Sequence, residues 1–410
     1  MPFGIKIRLS LMMFLEFFVW GSWYVTMGTF LGLNLNATGT QVGAAFSTQS
    51  FGAIIAPFII GLIADRYFNA EKILGFLHLI GAGLLYACYK AESFAGFYPF
   101  IFSYMVLYMP TLALANSVSF RQMRDPEKEF SPIRVWGTIG WIASGLAISY
   151  VFFWDSAENL QSGLLRNTFL MASIASLALG LYSFTLPGTP PKARNSGRVR
   201  ISDVIGLDAL ALLKDRNYAI FFVSSVLICI PLAFYYQNAN PFLTEIGVSD
   251  PTGKMTIGQV SEVLFLLMLP LFFKRFGFKV TILVGMAAWA LRYLLFAYGD
   301  ADSGAWLLLV GIALHGICYD FFFVSGQIYT DSKAGERFQS SAQGLITLAT
   351  YGVGMLIGFA IAGRVTDYFL TDAGTHDWKS IWMIPSGIAI LVVIVFMLFF
   401  KNESVTKKTI

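Results

Sequence analysis

Three carboxylates stand inside long apolar stretches of this chain: Glu16, Glu262 and Asp320. An ionisable side chain inside a membrane is costly, and it usually faces a cavity or a polar partner. A carboxylate at such a place can accept hydrogen bonds from the hydroxyl groups of a ligand. Its affinity for a proton also changes with its surroundings. These positions therefore predict ligand binding, proton binding or both.

Gln259 and Glu262 belong to the segment "IGQVSEVLFLLMLP" and lie three residues apart, on one face of a helix. A carboxylate accepts two hydroxyl groups, and an amide both donates and accepts, so the pair suits a polyol. For Gln259 the sequence leaves a second interpretation open, because membrane glutamines often join neighbouring helices.

Asp320 follows Tyr319 and precedes Phe321 in the segment "ALHGICYDFFFVSGQIYTD". Aromatic rings beside a carboxylate suit a flat ring that carries hydroxyl groups. A structural pairing of Asp320 with an arginine is the alternative, and the two interpretations are compatible.

The segment "ICIPLAFYYQNANPFLTEIG" contains two prolines, with Tyr236 and Gln237 between them. Prolines in a membrane helix free backbone groups that neighbours or water must satisfy. The segment therefore predicts a bent helix that lines a substrate path, with Asn240 and Pro241 at its end.

Arg134, Thr138 and Trp141 lie four and three residues apart in "SPIRVWGTIGW", so they form one stripe along a helix. Taken alone, Arg134 is close enough to the helix end to extend to the membrane surface. Glu16 has the same alternative, since it lies towards one end of the first apolar stretch.

Composition predicts an integral membrane protein built of helices. Of the 410 residues, 56% are hydrophobic and only 13% are charged. A membrane-spanning helix needs about 20 apolar residues. Twelve stretches qualify: 9–33, 41–64, 72–90, 96–119, 132–154, 166–187, 217–244, 254–273, 279–299, 304–329, 339–363 and 379–400.

A polar, basic linker over 188–216 divides these spans into two six-helix bundles, 1–187 and 217–410. Lysine and arginine favour cytoplasmic loops. They concentrate on the side that holds the linker, so both termini and the linker are expected in the cytoplasm. The net charge of +4 reflects the lysine and arginine residues of the cytoplasmic side and does not indicate a nucleic-acid partner.

Two bundles with a central site are the pattern of the major facilitator superfamily. The segment "GLIADRYFNAEK" resembles the loop signature of that superfamily, with Gly61, Asp65 and Arg66 as a conformational latch. The alternative is an ordinary basic loop.

Several segments in order resemble the bacterial nucleoside:proton symporter family of this superfamily. They include "FVWGSWYVTMGTFL", "YMPTLALANSVSF", "SPIRVWGTIGW", "QVSEVLFLLMLPLFF", "LRYLLFAYGD", "YDFFFVSGQIY" and "SAQG". The resemblance implies proton-coupled nucleoside import across the bacterial inner membrane by alternating access.

The resemblance also implies roles for residues. Arg134 and Thr138 would contact or organise the substrate, Trp141 would stack, and Gln259 and Glu262 would hold ribose hydroxyls. Asp320 would be polar or proton-linked, with Glu262 and Glu16 as the other candidates for proton coupling, and Tyr319 and Phe321 would form the aromatic surroundings. Arg134 would face the aqueous cavity, where Asp320 can partner it.

One segment departs from the family pattern. The glutamine and asparagine positions of the family are Ala233 and Tyr236 here, and Gln237 or Asn238 would have to replace them. A sugar or small-polyol importer therefore remains an alternative, and so does a membrane sensor that binds ligand without transport.

No nucleophile and base are paired in a way that indicates an enzyme. The three cysteines and three histidines are scattered, so we expect no metal and no cofactor. The expected partners are a nucleoside, protons and membrane lipids, with the chain as a monomer.

Overall fold

The structure, a computed structural model, describes residues 1–59, 68–190 and 207–402. Its regular elements in these ranges are helices, apart from an isolated bridge between Leu370 and His376. The chain divides into two compact units. Unit 1 comprises Met1–Val199 and Ser249–Thr256, and unit 2 comprises Arg200–Val248 and Ile257–Ile410.

Unit 1 contains the helices of the first half of the chain. They are α1 (Phe3–Gly21), α2 (Met27–Leu35), α3 (Gly39–Ile59), α4 (Ala70–Lys90), α5 (Phe94–Arg121), α6 (Pro126–Glu129), α7 (Ser131–Leu146), α8 (Ala157–Gln161) and α9 (Asn167–Ser183). A π-helical turn, Ala147–Val151, extends α7, and a 3₁₀ turn, Leu164–Arg166, precedes α9.

Helix pairs in unit 1 approach closely where glycine removes a side chain. A Cβ atom on Gly140 of α7 would overlap the carbonyl oxygen of Phe14 on α1. Helices α1 and α7 therefore pack backbone against backbone, as small residues allow in membrane proteins. Helix α4 packs on both α5 and α9, which places α1, α4, α5 and α9 around one interior.

Unit 2 contains α10 (Arg216–Glu245), α11 (Pro251–Tyr298), α12 (Ala305–Ala313), α13 (His315–Tyr319), α14 (Ser325–Thr347), α15 (Met355–Tyr368) and α16 (Trp378–Phe399). The first residues of α11, up to Thr256, belong to unit 1. A 3₁₀ turn, Leu207–Lys214, precedes α10, and π-helical turns at Asp320–Val324 and Leu348–Gly354 join α13 to α14 and α14 to α15.

Gly277 interrupts α11 with a φ of 75° and a ψ of 177°. Such a positive φ suits glycine, which lacks a Cβ atom. The sequence predicted two spans here, 254–273 and 279–299, and the break lies between them.

Eight helical stretches of the described residues are long and apolar enough to cross a membrane. Their outer faces carry exposed apolar side chains such as Leu267, Leu271 and Leu391. Lipid is the solvent that suits these faces, because water would leave large apolar patches uncovered. The fold is therefore an all-α integral membrane fold.

Some predicted boundaries are wrong. The first predicted span is two helices, because the chain turns at 22–26 between α1 and α2. Helix α14 runs through the polar segment expected as a loop after 329, since that segment is rich in good helix formers. Helix α10 does not end at Asn240 and Pro241 but continues to Glu245. A proline this close to a helix end removes only one hydrogen bond.

The proposed latch residues Gly61, Asp65 and Arg66 lie outside the described residues. Residues 191–206 of the predicted linker also lie outside them.

Candidate functional site

Glu262 of unit 2 lies beside His315, which in turn contacts Arg292. Its carboxylate Oε2 is 4.0 Å from Nε2 of His315, and its side chain is 25% exposed. The other ring nitrogen of His315, Nδ1, is 3.2 Å from Nη1 of Arg292. His315 thus stands between a glutamate that reaches solvent and an arginine that is fully buried.

The break in α11 makes this group possible. Glu262 and Arg292 both belong to α11, and a straight helix would separate them by about 45 Å at about 1.5 Å per residue. The chain departs from the helix at Gly277, and both side chains reach the same histidine. The neighbours of these residues in the sequence also meet. Gly316 packs against Ser261, and its amide donates to the Ser261 hydroxyl at 3.1 Å. This close contact holds α13 beside α11.

Hydrogen-bond chemistry assigns the protonation form of His315. A guanidinium group only donates, so Nδ1 of His315 accepts from Arg292 and carries no hydrogen. The remaining hydrogen is then on Nε2, the atom that faces Glu262. His315 is neutral in this arrangement. Its ring lies between the positive charge of Arg292 and the carboxylate of Glu262.

Arg292 is buried, and few direct contacts compensate the charge of its guanidinium group. Its Cζ atom lies 3.4 Å from the ring centroid of Tyr235, a close cation–π contact. Its Nε and Nη2 atoms have no hydrogen-bond partner among the described residues. A buried charge of this kind favours negative groups nearby. Asp320, which is 1% exposed, and Glu262 are acidic residues close enough to repel each other electrostatically.

Asp320 opens a π-helical turn, and such turns are frequent at functional sites. Its Oδ2 atom has no hydrogen-bond partner among the described residues. The preceding Tyr319 is half-buried, and its hydroxyl lies 3.1 Å from that of Tyr351 in the next π-helical turn. Phe321 instead points into apolar packing, 4.6 Å between ring centroids from Phe272 of α11.

The predicted residues of α10 and α11 differ in exposure. Tyr236 and Gln259 are half-buried, and Gln237 is buried. Asn238, the alternative to Gln237, donates to the Thr366 hydroxyl at 3.1 Å, so its amide joins α10 to α15.

Arg134, Thr138 and Trp141 lie on α7 of unit 1, and all three are half-buried. The guanidinium carbon of Arg134 is 4.1 Å from the Phe17 ring centroid, and the Trp141 ring lies 5.4 Å from that of Trp20. Because Asp320 belongs to unit 2, its pairing with Arg134 stays a prediction.

Glu16 does not extend to a membrane surface. It is fully buried in unit 1, and its Oε2 atom lies 2.9 Å from Nε2 of His78. The surface alternative for Glu16 is therefore wrong. The carboxylate is paired with a histidine of another helix, which the spacing of residues around Glu16 does not reveal.

Sequence reasoning missed His78 and His315, and it noted Arg292 only as an arginine inside a helix. Arg292 stands inside a predicted span without a nearby helix end, which was a usable signal. Single histidines in apolar helices carry a weaker signal.

Comparisons with known proteins agree with this architecture. The family model described as "Nucleoside H+ symporter" matches residues 3–405. The chain is 41% identical to the putative nucleoside transporter YegT of Escherichia coli over 97% of this chain and 94% of that protein. It is 36% identical to the xanthosine permease of the same organism, over 97% and 96% of the two chains.

A solved structure shows the same fold. The crystal structure of the nucleoside transporter NupG aligns with a TM-score of 0.86 at 31% identity, over 97% of this chain and 100% of that chain. The helices therefore have the arrangement of the major facilitator superfamily, and the chain is a transporter and not an enzyme. The chain belongs to the nucleoside:proton symporter family.

Proposed function

We propose that this chain imports nucleosides together with protons and that Glu262 binds the hydroxyl groups of the ribose. The position of Glu262 carries the proposal. Its carboxylate is partly exposed, whereas the basic groups behind it, His315 and Arg292, are buried. An ionised carboxylate that is open to a ligand is a strong acceptor for hydroxyl donors.

Other polar residues supply the remaining contacts in this proposal. Gln259 lies three residues before Glu262 on the same helix and is half-buried, so it is the second candidate for the ribose. Tyr236, Gln237 and Tyr319 are the candidates in unit 2 for contact with the base. Arg134, Thr138 and Trp141 of unit 1 remain predicted contributors.

Asp320 is the proposed site of proton coupling. It is 1% exposed, and one of its carboxylate oxygens has no donor among the described residues. Ionising a buried carboxyl group that lacks donors costs free energy. The charge of Asp320 therefore depends strongly on which groups approach it during the transport cycle. Glu262 and Glu16 are the other candidates.

The protein is further proposed to act as a monomer in the bacterial inner membrane, with both termini in the cytoplasm. The proposed organisation is two bundles, 1–187 and 217–410, joined by the 188–216 linker. The lysine and arginine distribution supports the orientation.

The sugar importer and the membrane sensor are not favoured. The family model covers nearly the whole chain and describes a nucleoside symporter. The departure at Ala233 and Tyr236 then concerns which base is preferred and not the class of substrate.

Uptake into proteoliposomes tests the proposal. The purified chain should accumulate a radiolabelled ribonucleoside when only a proton gradient is imposed, and a panel of sugars should not compete. Accumulation of a sugar, or no response to the gradient, would contradict the proposed function.

The same assay tests the coupling residue. Asp320→Asn should lose accumulation driven by the proton gradient but keep downhill exchange of nucleoside, because the amide keeps the shape and cannot bind a proton. Asp372→Asn is the matched control, since Asp372 is an exposed aspartate of the same unit. Gradient-driven accumulation by Asp320→Asn would assign coupling to another carboxylate.

A further inference from the structure

A buried polar network joins four helices of unit 1 around Glu16. Glu16 lies on α1, His78 on α4, Thr111 on α5 and Ser176 on α9. All four side chains are buried, with exposures between 0% and 2%. The network contains a carboxylate and an imidazole in direct contact, so its hydrogens must be placed consistently.

The hydrogens of the His78 ring follow from Ser176. The Ser176 hydroxyl donates its single hydrogen to the His78 carbonyl oxygen at 2.9 Å. It can therefore only accept from Nδ1 of His78, which lies 3.0 Å away. Nδ1 thus carries a hydrogen, and Nε2 is the atom whose protonation can change.

One proton therefore lies between Glu16 and His78. Nε2 is 2.9 Å from Oε2 of Glu16, and a hydrogen is needed between these atoms because both are otherwise acceptors. The imidazole is the more basic of the two groups, so the proton lies on the nitrogen, and the pair is neutral overall. A neutral total suits a fully buried pair, since an unpaired charge there is costly.

The other oxygen of Glu16 accepts a hydrogen bond. Its Oε1 atom lies 2.6 Å from the Thr111 hydroxyl, which also lies 2.5 Å from the Tyr108 carbonyl oxygen. Donation from Thr111 to Oε1 stabilises the carboxylate as an anion. It therefore favours the shared proton on the nitrogen of His78.

The charged and titratable neighbours are few. Tyr108 of α5 donates its hydroxyl to the Glu16 carbonyl oxygen at 2.8 Å, and Tyr104 lies one turn before it. Arg134 of α7 acts electrostatically on the Tyr108 hydroxyl, and Cys88 of α4 lies near Tyr104. The imidazole of His78 is the basic group in direct contact with the Glu16 carboxylate.

We propose that Glu16 and His78 form a proton-binding pair inside unit 1, in which one exchangeable proton lies on Nε2 of His78 and is shared with Oε2 of Glu16. The pair is separate from Glu262 and Asp320, which belong to unit 2. Its use in transport rests on the proposed proton coupling, whereas the shared proton itself does not.

Histidine NMR tests the pair in the purified, substrate-free protein. The chain has three histidines, so ¹⁵N-histidine labelling gives three ring signals, which single His→Gln variants assign. In the parent at neutral pH, both Nδ1 and Nε2 of His78 should be protonated. In Glu16→Gln the ring should become neutral with its hydrogen on Nδ1, because the anion that stabilised the cation is gone.

Two further variants complete the test. Thr111→Val keeps the Glu16–His78 contact but removes the hydroxyl that stabilises the Glu16 anion through Oε1. The shared proton should therefore move towards Oε2, with a weaker signal of protonated Nε2 and a carboxyl infrared band that the parent lacks. Glu71→Gln is the matched control, because Glu71 is a buried glutamate of unit 1 that binds the Thr189 amide and the Asn69 side chain. It should leave the His78 signals unchanged and should not produce the band.

Identical His78 signals in the parent and Glu16→Gln, or a parent His78 with its hydrogen on Nε2 alone, would overturn the proposal. A Thr111→Val variant with the His78 signals and infrared spectrum of the parent would also overturn it. If Glu16→Gln does not fold, Thr111→Val still provides the test. A parent that shows the shared proton but fails to accumulate nucleoside would contradict the proposed function alone.

Discussion

Replacing Glu262 by glutamine is the most direct test of substrate recognition. The substitution keeps the size of the side chain but exchanges an anion for an amide. The carboxylate is 25% exposed, so water screens its interactions only in part. Its neighbour His315 stays neutral while it accepts from Arg292, so the variant should keep the local packing.

The size of the effect follows from the lost charge. A hydrogen bond to a charged group contributes about 1.5–3 kcal/mol. Because about 1.4 kcal/mol corresponds to a tenfold change in affinity, the Kd for a ribonucleoside should rise roughly 10- to 150-fold. A nucleoside that lacks the contacted hydroxyl should lose much less.

Titration calorimetry on the purified protein measures these affinities, with ribonucleosides and their 2′- and 3′-deoxy forms as ligands. Glu245→Gln is the matched control, because Glu245 is another glutamate of unit 2 in contact with a histidine, His376, at the end of α10. Equal Kd values for every ligand in the parent and Glu262→Gln would show that Glu262 does not bind the ribose. Loss of affinity in the control as well would indicate a general effect on folding.

Two further predictions concern stability. Gly140→Ala places a methyl group against the Phe14 carbonyl oxygen and should destabilise unit 1 by about 1–3 kcal/mol through overpacking. Gly83→Ala, with open space around it, should not. Equal thermal unfolding of the two variants would contradict the close packing of α1 and α7. Burial raises the pKa of Asp215, but hydrogen bonds from Lys333 and the Tyr218 amide outweigh it, and the net pKa is lowered. A lowered carboxyl pKa contributes stability above the unfolded-state pKa, and this is lost as the pH falls through the folded-state pKa. Asp215→Asn should thus lower the free energy of unfolding by less than about 1 kcal/mol at neutral pH, since Asp215 is 41% exposed. In acid it should not lower it at all. A loss of stability that is independent of pH in denaturation experiments would refute the ion-pair explanation.

The sequence by itself determined the class of the protein. Long apolar stretches require helices in a membrane, because backbone groups in lipid must bond within their own segment. The same rule made the interior carboxylates Glu262 and Asp320 conspicuous, and the ordered family segments indicated a nucleoside symporter, which the family model confirms. These conclusions depend on local composition and spacing.

Only the tertiary structure decided which polar groups meet. Glu16 contacts His78 on another helix, and His315 contacts both Arg292 and Glu262. Spacing along one helix indicates which side chains share a face, but it does not specify which face of another helix packs against them. That choice depends on close approaches such as Gly316 against Ser261 and on the break at Gly277. A lone histidine in an apolar helix therefore acquires its chemistry from the packing of distant segments.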